Sequence, residues 1–215
     1  MFPDRFIPLA EDSGLIIPMT WWVLETAVAQ TALWHRAGLP VKVSVNFSAH
    51  CLQEEDIVQR VTDCINRHAL PDNSLVLEIT ESMIMADPHK ASKVLLEMDE
   101  MKVDVSIDDF GTGHSSLAYL KHLLVDELKI DRSFVMGMIE HKNDEVIVRT
   151  VINMAHNMGL RVVAEGVEDR VSWDALAEMN CDRIQGYFIS RPQPVDRVTE
   201  WLNDFVANGL QLDKK

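Results

Sequence analysis

A parallel α/β fold is predicted by three observations. Six short β-rich apolar runs are spread along the chain, longer amphipathic stretches separate them, and the polar residues that close the runs recur every 20 to 36 residues, the length of one strand plus one helix. The strand runs are 41–46, 75–79, 103–108, 127–131, 160–165 and 183–188. Between them, one helix is expected from near Thr20 to a left-handed cap at Gly38, with Pro40 beyond it. Asp87-Pro88 supplies a capping side chain and then proline at the first helical position, so a second helix opens there. Asn143-Asp144-Glu145 opens a third, which stops at Gly159. Further helices are expected over 53–68, 115–122, 170–179 and 195–207. No Ser- or Gly-rich linker breaks the series, so residues 1–215 read as a single domain with a flexible tail at 208–215.

Composition narrows the function classes. The 215 residues carry a formal charge of −14, which excludes a polymeric nucleic-acid binder that needs a basic stripe to displace counterions. Hydrophobic residues at 47% and charged residues at 25% are those of a globular domain and rule out a disordered chain. Cys51, Cys64 and Cys181 are odd in number and widely spaced, so neither a disulfide framework nor a zinc ribbon is indicated and a reducing cytoplasm fits. The N-terminus lacks the basic and apolar regions of a signal peptide. Leu15–Ala29, interrupted by Pro18 and Glu25, falls short of the roughly 20 apolar residues that span a bilayer and reads as a buried helix with no membrane contact.

The chemistry lies at the strand ends. Each run closes at or near a residue able to hold metal or polar substrate: Asn46, Glu78, Asp108 with Asp109, Lys129, Glu165 and Gln185. One such carboxylate is commonly just a helix cap, but in a parallel α/β sheet all strand carboxyl ends open on one face, where active sites are built. Carboxylates converging there repel one another unless cations neutralise them. Hard oxygen donors select magnesium or manganese over zinc. Asp108 and Asp109 are adjacent and point oppositely on a regular strand, so both face one centre only where the backbone turns, an expectation placed on the following Gly111-Thr112-Gly113. Two cations about 3.5–4 Å apart are the standard arrangement for in-line phosphodiester hydrolysis. Lys129 would hold the attacking water or stabilise charge on phosphorus; its bland alternative is a lysine snorkelling from a sheet rim.

Other features carry less. The glycines match no phosphate-cradling motif, and no His-Glu-x-x-His pair is present. His50 beside Cys51 is a faint thiol-site signal. Methionines such as Met83, Met85, Met136 and Met138 read as core filler, and Trp21, Trp22 and Trp34 as one helix's packing face.

Seven ordered strings resemble the EAL-domain family of cyclic di-GMP phosphodiesterases. They are Phe6-Ile7-Pro8-Leu9-Ala10-Glu11, Val45-Asn46-Phe47-Ser48-Ala49, Glu78-Ile79-Thr80-Glu81-Ser82, Asp108-Asp109-Phe110-Gly111-Thr112-Gly113, Leu128-Lys129-Ile130-Asp131, Val163-Ala164-Glu165-Gly166-Val167-Glu168 and Gln185-Gly186-Tyr187. The resemblance implies a TIM-type (β/α) barrel with one antiparallel strand, and opening of cyclic di-GMP to linear pGpG with two Mg2+ or Mn2+ ions. It implies Asn46, Glu78 and Asp108 as ligands of one ion and Asp108, Asp109 and Glu165 as ligands of the second. Lys129 is similar to the family lysine on the catalytic water; Asp131, Glu168 and Gln185 resemble surrounding or substrate-side residues. Glu81 matches a glutamate that steadies the loop after Asp109, a loop tied to metal binding and dimerisation, so a homodimer is implied. Sensory or diguanylate cyclase domains are implied as neighbours in a longer protein.

The family's Glu-Ala-Leu signature and a phosphate-binding arginine belong upstream of Phe6-Ile7-Pro8, and this chain is expected to begin after both. A complete barrel has eight strands and about 250 residues, so an incomplete barrel of about six parallel strands is expected, its runs 41–46 and 183–188 left as edges. His114 and Leu124 replace the usual tyrosine and proline. Besides hydrolysis, two readings stay open: a catalytically inactive cyclic di-GMP receptor or dimerisation module, and another metal-dependent barrel hydrolase acting on small phosphate esters.

Overall fold

The computed structural model describes residues 3–111 and 123–209. The helix expected over 115–122, His114 and most of the expected tail lie outside the described residues. The chain divides into two compact units.

The first unit comprises residues 3–106 and 123–125. Helices α1 (Pro3–Asp12) and α2 (Ile16–Arg36) lead into β1 (Val43–Asn46), α3 (Ala49–Leu52), α4 (Ile57–His68), β2 (Leu75–Thr80), α5 (Glu81–Ala86), α6 (Pro88–Glu100) and the start of β3 (Asp104–Phe110). The strands neighbour one another in the order β1-β2-β3. β1 and β2 are parallel, with Val43 opposite Leu75 and Asn46 opposite Glu78. Strand β2 is buried along its length up to Ile79, as expected of a parallel strand covered on both faces.

The second unit comprises residues 107–111 and 126–209. It holds the rest of β3, then β4 (Glu127–Ile130), α7 (Arg132–Gly137), α8 (Lys142–Asn157), β5 (Arg161–Glu165), α9 (Arg170–Glu178), β6 (Arg183–Gln185) and α10 (Val195–Asn208). The order is β3-β4-β5-β6, and the β4–β5 and β5–β6 pairs are parallel. The α/β fold and its six strands are those the sequence predicts, and among the described residues the series is open: β1 has β2, and β6 has β5, as its single neighbour.

Several boundaries differ for physical reasons. Helix α2 begins at Ile16, ahead of Thr20, because Pro18 falls in its first turn, where a missing N–H costs nothing. Asp87 caps α6 as its sequence suggests, its side chain accepting from the Lys90 N–H. The sixth strand stops at Gln185, three residues early. There the chain turns across the β5 loop: Phe188 N–H donates to the Val167 carbonyl at 3.0 Å, and a Cβ on Gly186 would fall 2.1 Å from that same oxygen. Trp22 does not join the packing face; it is 67% exposed. Met83 and Met138 are core residues as expected, whereas Met85 and Met136 are exposed.

Candidate active site

Register decides which strand-end side chains can meet. In the first unit Asn46 lies directly opposite Glu78, so both project to one face. The Asn46 amide N–H donates to Glu78 Oε2 at 3.0 Å. Glu78 is buried and Asn46 exposed, which places the carboxylate below and the amide at the rim. Glu81 stands at the first position of α5, and the loop it is expected to steady lies outside the described residues.

In the second unit Lys129 lies opposite Val163, so Glu165, two residues along β5, shares its face. Gln185 lies opposite Glu165 on β6. Lys129 is only 3% exposed, and its ammonium lies 2.6 Å from Glu165 Oε1 and 3.1 Å from Asp108 Oδ1. A snorkelling lysine reaches outward to water; this one is turned inward onto two carboxylates. The mutual repulsion expected of converging carboxylates is answered in this unit by an internal ammonium.

The turn that lets Asp108 and Asp109 diverge from strand alternation starts earlier than Gly111. Asp109 itself has φ +54°, a left-handed conformation that aspartate tolerates better than most residues, and Gly111 follows at φ +96°. The Asp109 N–H donates to Asp108 Oδ1 at 3.0 Å. Loss of hydration, then the neighbouring charges of Asp108 and Asp131, hold the Asp109 carboxyl above the ordinary carboxylate range. Asp131 caps α7, accepting from the Ser133 N–H at 3.0 Å. Glu168 is exposed in the loop between β5 and α9.

Gln185 also borders a cavity of about 470 Å³ lined by Tyr187, Arg191, Gln193 and Trp201. The Arg191 guanidinium stacks 4.4 Å from the Tyr187 ring centre. The cysteines play no part: burial pushes Cys51 up, Cys64 up to about 12 and Cys181 up to about 11, so thiolate is scarce at neutral pH.

Among the described residues no three His, Cys, Asp or Glu side chains converge closely enough to hold an ion. The donor types nevertheless fit a hard divalent cation, since Asn46, Glu78, Asp108, Asp109 and Glu165 all offer oxygen. Sequence reasoning missed what shapes the second unit's strand ends. Gly166, at φ +72°, packs so closely on Arg132 that a Cβ would fall 2.6 Å from the Arg132 Cβ. The signal was a glycine immediately after each of two polar strand ends, Glu165 and Gln185.

The fold and the polar strand ends define the class: an α/β protein of the parallel-strand kind with an acidic residue at or near the carboxyl end of several strands. The chain belongs to the EAL-domain family, whose model matches residues 1–192. It is 40% identical over 200 residues to the signaling protein YkoW of Bacillus subtilis, covering 93% of this chain and 25% of YkoW. It is 39% identical to the bifunctional diguanylate cyclase/cyclic di-GMP phosphodiesterase MucR of Pseudomonas aeruginosa, covering 91% of this chain and 29% of MucR. The chain therefore spans about a quarter of the length of these curated relatives. Among solved structures, the PaMucR phosphodiesterase in complex with c-di-GMP matches with a TM-score of 0.89 at 38% identity, covering 92% of this chain and 81% of that one. The EAL domain of Mycobacterium smegmatis DcpA matches with a TM-score of 0.84 at 37% identity, covering 93% and 88%. No helix among the described residues is long and apolar enough to cross a membrane.

Proposed function

We propose that this chain hydrolyses cyclic di-GMP to linear pGpG. The observation that carries the reading is the buried Lys129 ammonium, held between Asp108 and Glu165 at neighbouring strand ends in a chain of this family. Asn46 and Glu78, with Asp108, are proposed ligands of one Mg2+ or Mn2+ ion, and Asp108, Asp109 and Glu165 of a second. Such ions, when bound, supply Lewis-acid polarisation of the phosphate and make the attacking water acidic. The chain's own groups do the rest. Lys129 fixes the spacing of Asp108 and Glu165 and sets a positive charge beside the phosphoryl oxygens, where negative charge grows as water adds to phosphorus and the bond to one 3′ oxygen breaks. Gln185, opposite Glu165, the exposed Glu168, and Asp131, whose charge neighbours Asp109, are proposed as surrounding or substrate-side residues.

The test is chromatographic separation of products after incubating the chain with cyclic di-GMP and Mg2+ or Mn2+. Metal-dependent pGpG is expected, abolished by Glu78→Ala or Asp108→Ala. Metal-dependent pGpG that survives both substitutions rejects the site.

The alternative to be separated from it is a non-catalytic cyclic di-GMP receptor. Calorimetry showing cyclic di-GMP binding without metal or product selects it. A cytoplasmic location, a second copy of the chain as partner, and sensory or diguanylate cyclase domains in the whole protein complete the proposal.

A further inference from the structure

We propose that Trp21 is a positioning residue for Asn46, acting through Phe47; its functional meaning rests on the reading that Asn46 is an ion ligand. Strand β1 has four residues, and Asn46 at its end is exposed and of a type that disfavours strands. Something must hold that end. Phe47, buried just beyond it, extends the ladder by one rung, its N–H donating to the Glu78 carbonyl at 2.8 Å. The Phe47 ring in turn meets Trp21 of α2 edge to face, with centroids 5.5 Å apart and planes at 87°.

Trp21 is itself fixed from two sides. Its indole N–H donates to Glu54 Oε2 at 2.7 Å, and the Arg60 guanidinium lies 3.8 Å from its ring centre. Arg60 closes the cluster by donating to the same Glu54 oxygen at 3.1 Å. The Trp21, Glu54 and Arg60 contacts thus immobilise one ring, that ring pins Phe47, and the pinned backbone keeps Asn46 opposite Glu78, where its amide reaches the carboxylate. Each member lies within the first unit.

The test uses the 215-residue chain with Mn2+ alone as probe, at temperatures where circular dichroism shows every variant folded. Trp21→Leu removes the ring, Glu54→Ala removes its half-buried anchor, and Glu54→Gln keeps an acceptor oxygen. Two signals are read: the Mn2+ dissociation constant by electron paramagnetic resonance, and the side-chain amide resonance of Asn46, assigned with Asn46→Ala. Trp21→Leu and Glu54→Ala are expected to shift or broaden that resonance and weaken Mn2+ binding roughly tenfold, as loss of an outer partner does. Glu54→Gln is expected to restore most of both. A merely structural role lowers the melting temperature and leaves both signals of the folded protein unchanged, which overturns the proposal. If the unsubstituted chain binds no Mn2+, the ion-ligand reading fails, and the amide resonance alone decides the clamp: moved supports it, unmoved overturns it.

Discussion

The two units hold their strand-end carboxylates by different means. In the second, a buried ammonium bonds Asp108 and Glu165 directly, so charge is met by charge. In the first, the exposed Asn46 gives Glu78 a neutral N–H, and the geometry depends on a rim residue held from behind by Phe47 and Trp21. The difference teaches that removing one residue should have opposite signatures in the two places. Deleting a buried counter-charge strands two carboxylates, whereas deleting an exposed amide takes one neutral bond from Glu78 and mainly alters what the site can bind.

The largest effect is therefore expected from Lys129→Met. Denaturant titration should show a loss of about 3 kcal/mol or more, and turnover should fall by roughly 10²–10³ if Lys129 also meets the developing charge. A stable, active variant breaks the comparison. Gly186→Ala comes next. Its Cβ would collide with the Val167 backbone, so a loss of at least about 2 kcal/mol is expected in the same titration. Asn46→Ala, which removes one bond to the buried Glu78 carboxylate, should cost about 1–2 kcal/mol, while the Mn2+ concentration for half-maximal activity rises roughly tenfold.

Two pH effects sharpen the contrast. Asp109 has its folded pKa raised, so the stability it contributes is present below its ordinary value of 3.8 and is lost as pH rises through the higher folded value. Asp109→Asn should remove that loss, measured as melting temperature against pH from 3 upward, in roughly equal steps to about 7. In the first unit, bonds from His68 and then Arg67 lower Glu25 to about 2 from an ordinary 4.5. Its stabilisation is present above 4.5 and is lost as pH falls towards 2. Glu25 is 40% exposed and screened by solvent, so Glu25→Gln should flatten the acid limb only slightly, the smallest effect of the set.

The strand runs were legible because parallel strands covered on both faces leave near-continuous apolar stretches, as in Leu75–Ile79. Their polar ends were legible too, since Asn46, Glu78, Lys129, Glu165 and Gln185 each close such a run. What single-residue patterns could not show was the pairing. That Lys129 turns inward follows from register between β4 and β5, and register is a property of two distant segments. The clamp on Phe47 was hidden for the same reason: Trp21 and Glu54 are 33 residues apart and meet only once α2 and the turn before α4 are packed. The end of β6 was hidden because it depends on Val167 crossing Gly186, a close approach that no local propensity encodes.

The most direct measurement is turnover in heavy-oxygen water with Mn2+ and cyclic di-GMP, followed by mass spectrometry of the dinucleotide. The account predicts pGpG carrying one heavy oxygen on its new 5′-phosphate, formed by the unsubstituted chain, not by Glu78→Ala, and roughly 10²–10³-fold more slowly by Lys129→Met. Cyclic di-GMP recovered intact and unlabelled, with the protein folded and metal present, contradicts it.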